Sequence, residues 1–190
     1  GLNRVRFDET PVMSTYLLAF VVGDLKSVEQ RASDGTLIRV WATAGKEKQG
    51  RFALETSVKL LEYFNEYFGT PYPLAKLDHL AIPDFAAGAM ENWGAITYRE
   101  IVLLVDPKQS SADVRQRVAG IISHEMAHMW FGDLVTMAWW NDLWLNESFA
   151  SWMGDKAVDH LFPEWDVWTQ FLIADTNRAL SLDGLKSSHP

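Results

Sequence analysis

The stretch HEMAHMWFGDLVTMAWWNDLWLNE, His124 to Glu147, restricts the possible folds more than any other part of the chain. Its two histidines are four residues apart, so on an α-helix both imidazoles leave the same side about one turn from each other. The apolar positions Val114, Val118, Ile121, Ile122 and Met129 fall on one broad face of that helix, and Gly132 ends it. A second helix is expected from about Asp142 to Met153, carrying Glu147. Eighteen residues separate His128 from Glu147, enough for a loop and a return. A fold that uses these side chains together needs two packed helices, with the Trp and Leu residues around Glu147 burying the second against the first.

Their chemistry points to a metal. The chain has no cysteine, so any ion must be held by His, Asp or Glu. His124 and His128 can close on a single ion, and Glu147 is the natural third ligand of a tetrahedral site that keeps one position open. Glu125 lies about 100° round the helix from His124, beside the ion rather than on it, where it can take a proton from water. Two neutral imidazoles and one carboxylate suit one Zn2+ per chain, which would stay net positive. An isolated H-E-x-x-H arises by chance in on the order of one in a hundred chains of this size. The surrounding helices and the preceding loop raise it above that background.

Composition excludes other classes. Seventeen Lys and Arg against 25 Asp and Glu give a net charge of −8, and no basic run offers a phosphate-binding patch, so nucleic acid is not an expected partner. The longest apolar run, Tyr16 to Val22, is too short to span a bilayer. No membrane segment is expected in these 190 residues, and a disulfide-dependent fold is excluded. The chain starts at Gly1 and reads as a piece of something longer; a cytoplasmic location is expected.

Along the chain, residues 1–44 read as β-rich: STYLLAFVVGD as a strand, then an Asp34-Gly35 turn before a second strand in TLIRVWAT. TAGKEKQG marks a boundary, giving an expected division into 1–44 and 45–190. Leu54, Val58, Leu61 and Phe64 recur at helical spacing from Arg51 to Phe68, with Gly69, Pro71 and Pro73 as stops. LDHLAIP, AITY and IVLLV read as short strands, and FAAGAMENWG as a loop. Ser110 with Asp113 resembles a capping box, and DVWTQFLIADTNRAL a last helix.

GAMEN, Gly88 to Asn92, followed by H-E-x-x-H and a glutamate eighteen residues on, resembles the combined signature of the gluzincin zinc aminopeptidases, the group containing alanyl and puromycin-sensitive aminopeptidases. GTPYPLAKLDHLAIPDFAAGAMENWGAITYRE and MWFGDLVTMAWWNDLWLNESFASW resemble the same family, so the likeness covers most of residues 45–190. It implies an α+β fold: the N-terminal part of a thermolysin-like zinc metallopeptidase catalytic domain, preceded by the last strands of a β-rich domain. It implies His124, His128 and Glu147 as zinc ligands and Glu125 as general base. The implied activity removes N-terminal residues from peptides with a free N-terminus.

On the same likeness, Glu91 receives the substrate's α-ammonium, and Gly88, Ala89, Met90 and Asn92 complete the substrate-binding loop. An anion at a dead-end subsite favours exopeptidase action, because internal peptide bonds bring no matching charge. Small residues at Gly88 and Ala89 let substrate backbone approach and pair. Two positions depart from the family pattern: Ser148 stands where glycine is common and Asp133 where asparagine is, and neither is a ligand. The family's oxyanion tyrosine is expected beyond Pro190, since all five tyrosines precede the zinc motif.

The remaining candidates have plainer readings. His79, His160 and His189 are expected to be packed or surface residues, and Trp139, Trp140 and Trp144 core around the site. Asp142 and Asn146 could orient an imidazole from behind. Two alternative functions remain: a related zinc hydrolase acting on a non-peptide substrate such as an epoxide, and a peptide-binding module without turnover. The presence of Glu125 argues against the second.

Overall fold

A five-stranded sheet and an antiparallel helix pair position everything that follows. In the computed structural model, which describes residues 4–186, strands β1 (Leu25–Arg31), β2 (Leu37–Thr43), β3 (Lys76–Ile82), β4 (Ala89–Met90) and β5 (Ala95–Arg99) lie in the order β1-β2-β3-β5-β4. The inner pairs, β2–β3 and β3–β5, are parallel, while both edge strands run antiparallel to their neighbours. The β1–β2 hairpin turns at Asp34-Gly35, where Asp34 Oδ1 accepts from Thr36 N at 2.9 Å and Gly35 takes φ +93°. Parallel β2 and β3 need a crossover, and helix α1 (Arg51–Phe68) supplies it. The sheet therefore runs through the expected division at residues 44 and 45.

Helix α1 forms as its periodicity predicts. Leu54, Val58, Leu61 and Phe64 are buried, and Gly69 closes the helix in the left-handed region at φ +61°. Phe64 is fully buried between Phe68 and Trp130, each with ring centroids 5.7 Å away. Phe64→Ala should cost about 3–5 kcal/mol. In a thermal melt that is a midpoint drop of about 10 °C, and an unchanged midpoint would show that this cluster does not hold the domain.

Helix α2 (Ala112–His128) packs against α1 and against α3 (Trp144–Leu161). Its cap is Ser111, whose Oγ accepts from Val114 N at 3.4 Å, one residue later than expected. Ser110 instead closes the preceding turn, accepting from Asp106 N at 3.0 Å. Val118 and Ile122 are fully buried. Helix α3 extends eight residues past the expected end at Met153, because its buried face continues through Gly154, Ala157 and Val158 with no stop signal between. The expected last helix forms as three consecutive pieces: α4 (Val167–Phe171), a π-helical turn at Leu172–Thr176, and α5 (Asn177–Asp183).

Two expected strands are absent among the described residues. Tyr16 to Val22 forms a 3-10 turn at Thr15–Leu17 and then an unpaired segment with Phe20 and Val22 79% and 99% exposed. A strand needs a partner for its backbone, and this segment pairs with none of the described strands. The first strand is instead the polar LKSVEQR, whose edge position leaves most of its side chains wet. Ile101–Val105 is also not a strand. Leu103 and Val105 are apolar because they plug the core, with Leu103 N bonded to Glu100 O and Val105 N to Gln49 O.

The other histidines have structural settings. His79 is fully buried, with Nδ1 3.0 Å from the Tyr98 hydroxyl, and burial lowers its pKa to about 4. His160 is exposed and stacks on Tyr63 at 4.8 Å. His189 lies outside the described residues. Among those residues no helix is long and apolar enough to cross a membrane.

Candidate metal centre

The close packing of α2 on α3 brings His124, His128 and Glu147 together. The two Nε2 atoms are 3.0 Å apart, and Glu147 Oε2 lies 3.5 Å from His124 Nε2 and 3.6 Å from His128 Nε2. Ligands about 2.0–2.1 Å from a common tetrahedral centre stand roughly 3.3 Å from one another. The three separations bracket that value.

Each imidazole is held by its other nitrogen. His128 Nδ1 lies 3.0 Å from Phe131 O, and a carbonyl can only accept, so Nδ1 carries the proton and Nε2 the lone pair. His124 Nδ1 lies 3.3 Å from Ser151 Oγ. Ser151 gives its own proton to Glu147 O at 2.9 Å, so it accepts from Nδ1–H and fixes the same tautomer. Two lone pairs and a carboxylate thus converge on one point, an arrangement that a cation satisfies. Titration agrees. Burial pulls the His128 pKa down, but Glu147 and Glu91 carry it up to about 9; bonds from His124 and His128 hold Glu147 well below the usual carboxylate range. Positive charge belongs at this point, as a proton or as a metal that displaces it.

Glu125 lies on the same helix, buried, with Oε2 free of any hydrogen-bond partner. Burial raises its pKa to about 8; His128 opposes the rise, and Glu91 and Glu147 add to it. Glu91 is therefore close enough to be felt by both Glu125 and His128. It follows β4, the free edge of the sheet, which packs against α2. Gly88 O accepts from Arg99 N at 2.9 Å, and Ala89 and Met90 pair with Tyr98 and Thr97, so the loop expected from the sequence contains a two-residue strand. Gly88 is exposed, with nothing within 4 Å of an added Cβ. Asn92 is buried, and its side chain is committed internally: Nδ2 donates to Leu17 O at 3.1 Å, and Oδ1 accepts from Thr97 Oγ1 at 2.8 Å.

Two residues near the centre escaped the sequence reading. Ser151 is one; a serine inside a helix gives no pattern that marks a histidine partner. Asp133 is the other. It is 2% exposed, neither carboxylate oxygen has a partner, and burial together with Glu91 raises its pKa to about 8. In the sequence Asp133 stands out only as a departure from the family pattern.

Other expectations for this region are corrected. Trp139, Trp140 and Trp144 are not core: they are 65%, 54% and 61% exposed. Nor do Trp and Leu residues bury α3; Ala150, Met153, Gly154, Ala157 and Val158 do. Asn146 is buried but turns its amide to Met137 Sδ at 3.2 Å, and neither it nor Asp142 bonds a histidine. A groove of about 440 Å³ is lined by Phe131, Val135, Met137, Trp144 and Phe149, and by none of His124, His128 and Glu147.

A mixed sheet with a free edge strand packs on a helix pair that joins H-E-x-x-H to a later glutamate. The chain belongs to peptidase family M1: the family described as Peptidase family M1 domain matches residues 52–190. The whole chain is 57% identical to Aminopeptidase M1 of Arabidopsis thaliana, covering 22% of that protein. It is 52% identical to Aminopeptidase 2, mitochondrial, of Saccharomyces cerevisiae, again over the whole chain and 20% of the relative. Against Aminopeptidase N of Canis lupus familiaris, 99% of the chain aligns at 47% identity with 20% of the relative. The chain thus spans about a fifth of the length of these relatives. Membership of this family implies zinc, and the group His124, His128 and Glu147 could hold a metal ion.

Proposed function

We propose that the protein of which this chain forms part is a zinc aminopeptidase, with His124, His128 and Glu147 as ligands, Glu125 as general base and acid, and Glu91 as the anchor for the substrate's amino terminus. The observation that carries the reading is the convergence of two Nε2 atoms and Glu147 Oε2 within 3.6 Å, with Glu125 next to His124 in the chain and its Oε2 unpartnered. Zinc, when bound, supplies a Lewis acid that polarises the scissile carbonyl and makes water easier to deprotonate. Glu125 accepts the proton from the attacking water and passes it to the leaving amine. Its apolar burial favours the neutral form enough for it to hold that proton between the two steps.

Substrate placement comes from the edge of the sheet. The unpaired side of β4 can accept an extended peptide as an added strand, with Gly88 and Ala89 letting it come close. Met90 continues that edge, and Asn92 braces the turn that aims Glu91. A buried carboxylate facing a free α-ammonium forms a charge-assisted hydrogen bond that an acylated terminus cannot replace. Glu91→Gln should therefore lower kcat/KM on aminoacyl anilides by about 10- to 100-fold, the range of a lost charged hydrogen bond, while zinc content stays unchanged. Equal activity of the native protein on free and N-acetylated substrates would exclude aminopeptidase action and favour a different hydrolase.

The same reading covers the rest of the parent protein. In this reading residues 1–44 end a β-rich domain and 45–190 begin the catalytic domain, and the pairing of β2 with β3 makes one sheet shared across that division. The oxyanion tyrosine is placed beyond Pro190, and the parent protein in the cytoplasm. Cell fractionation tests the location, for which the mitochondrial relative in yeast is the competing precedent.

A further inference from the structure

Helix α3 holds His124 at two points. An added Cβ on Gly154 would lie 3.1 Å from His124 N and 3.2 Å from its Cα, so the two helices touch backbone to backbone at the first ligand. Backbone cannot swing aside as the end of a flexible side chain can, and a methyl group there forces the helices apart by a few tenths of an ångström. Ser123 Oγ, donating to Gly154 O at 3.0 Å, locks this approach in a buried site. Three residues earlier, on the same face of α3, Ser151 accepts from His124 Nδ1. His128 is held differently, by Phe131 O just past the end of its own helix. His124 is thus tied to the helix that carries Glu147, whereas His128 is tied to α2.

We propose that Gly154 and Ser151 are positioning residues of the metal centre. The bare Cα of Gly154 sets how closely α3 approaches the His124 backbone, and the Ser151 hydroxyl sets the ring's tautomer and tilt. Together they make His124 Nε2 and Glu147 Oε2 meet at one point. Glu147 sits about two turns from Gly154 on a continuous helix, so a displacement at Gly154 is carried to the carboxylate. Metal sites tolerate errors of about 0.2 Å in ligand distance, which makes a few tenths of an ångström consequential. The proposal rests on reading His124, His128 and Glu147 as the ligand set.

The test uses full-length protein and two readouts besides turnover: zinc affinity by chelator competition, and the visible absorption bands of the cobalt-substituted protein, which report coordination geometry. Gly154→Ala should weaken zinc binding about 10- to 100-fold and shift the cobalt bands, with one zinc still bound at saturation. Alanine is the better helix former, so intrinsic propensity would act in the opposite direction. Ser151→Ala should weaken binding about tenfold, and Ser151→Thr, which keeps the hydroxyl, should restore it. Should Gly154→Ala fail to fold, the two Ser151 variants still decide the matter. Unchanged affinity and bands in folded Gly154→Ala, or a Ser151→Ala loss that Ser151→Thr does not rescue, overturns the proposal. Failure of the unsubstituted protein to bind zinc would instead overturn the ligand assignment beneath it.

Discussion

Glu125→Gln in the full-length protein should leave about one zinc per chain and lower kcat on an aminoacyl anilide by at least about a hundredfold, the lower end of what a positioned general base contributes. Glutamine fills the same volume and keeps an oxygen acceptor, so the buried site does not collapse. It cannot take a proton from water or return one to the leaving amine. Glu125 is not within the group of atoms that converge on the metal point, so the zinc content should not change. Its Oε2 has no partner within the protein, which leaves that oxygen available for water. KM should move little, because the lost interaction belongs to the transition state rather than to substrate binding. Turnover surviving within a few fold of the native rate would mean that another group moves the proton. The nearest buried carboxylates to consider would then be Asp133 and Glu91, both of which act electrostatically on Glu125 or share its surroundings.

The convergence of His124 and His128 was legible in the sequence because helix geometry is local. Four residues between histidines decide which way both rings point, and the apolar face of α2 decides which side is buried. Helix α1 was legible for the same reason, down to its terminal glycine. Strands were less so. Tyr16–Val22 has the composition of a strand, but a strand exists only with a partner, and composition says nothing about partners. The polar edge strand β1 shows the converse, since its identity comes from pairing with β2 rather than from its own pattern. The contacts that hold His124 were invisible for a third reason. Ser151 and Gly154 look like ordinary helix residues until α3 is laid against α2, and their meaning lies in interhelical distances of about 3 Å that no one-dimensional pattern encodes. Asp133 belongs to the same class: the sequence marks it only as a departure from the family pattern, and its burial shows only in the fold.

Removing a ligand should have the largest effect of all on the metal. Zinc held by a full protein ligand set is bound by on the order of 10–16 kcal/mol, so one ligand of three or four accounts for roughly 3–4 kcal/mol, a several-hundredfold loss of affinity. His128 is the most informative position. It is 1% exposed, and its ring is fixed by Phe131 O. His128→Ala should bring zinc from about one per chain to a small fraction after dialysis against a weak chelator, with turnover falling in parallel. His124→Ala should do the same. Glu147→Ala should also lose the metal, although Glu147 is half exposed and solvent can enter its place more readily. The order of loss is itself a test: if the lone pairs of His124 and His128 form the fixed part of the site, Glu147→Ala retains the most zinc of the three. Elemental analysis showing unchanged zinc in all three variants would mean that the metal, if any, sits elsewhere, and the convergence of these three side chains would need a proton rather than a metal at its centre.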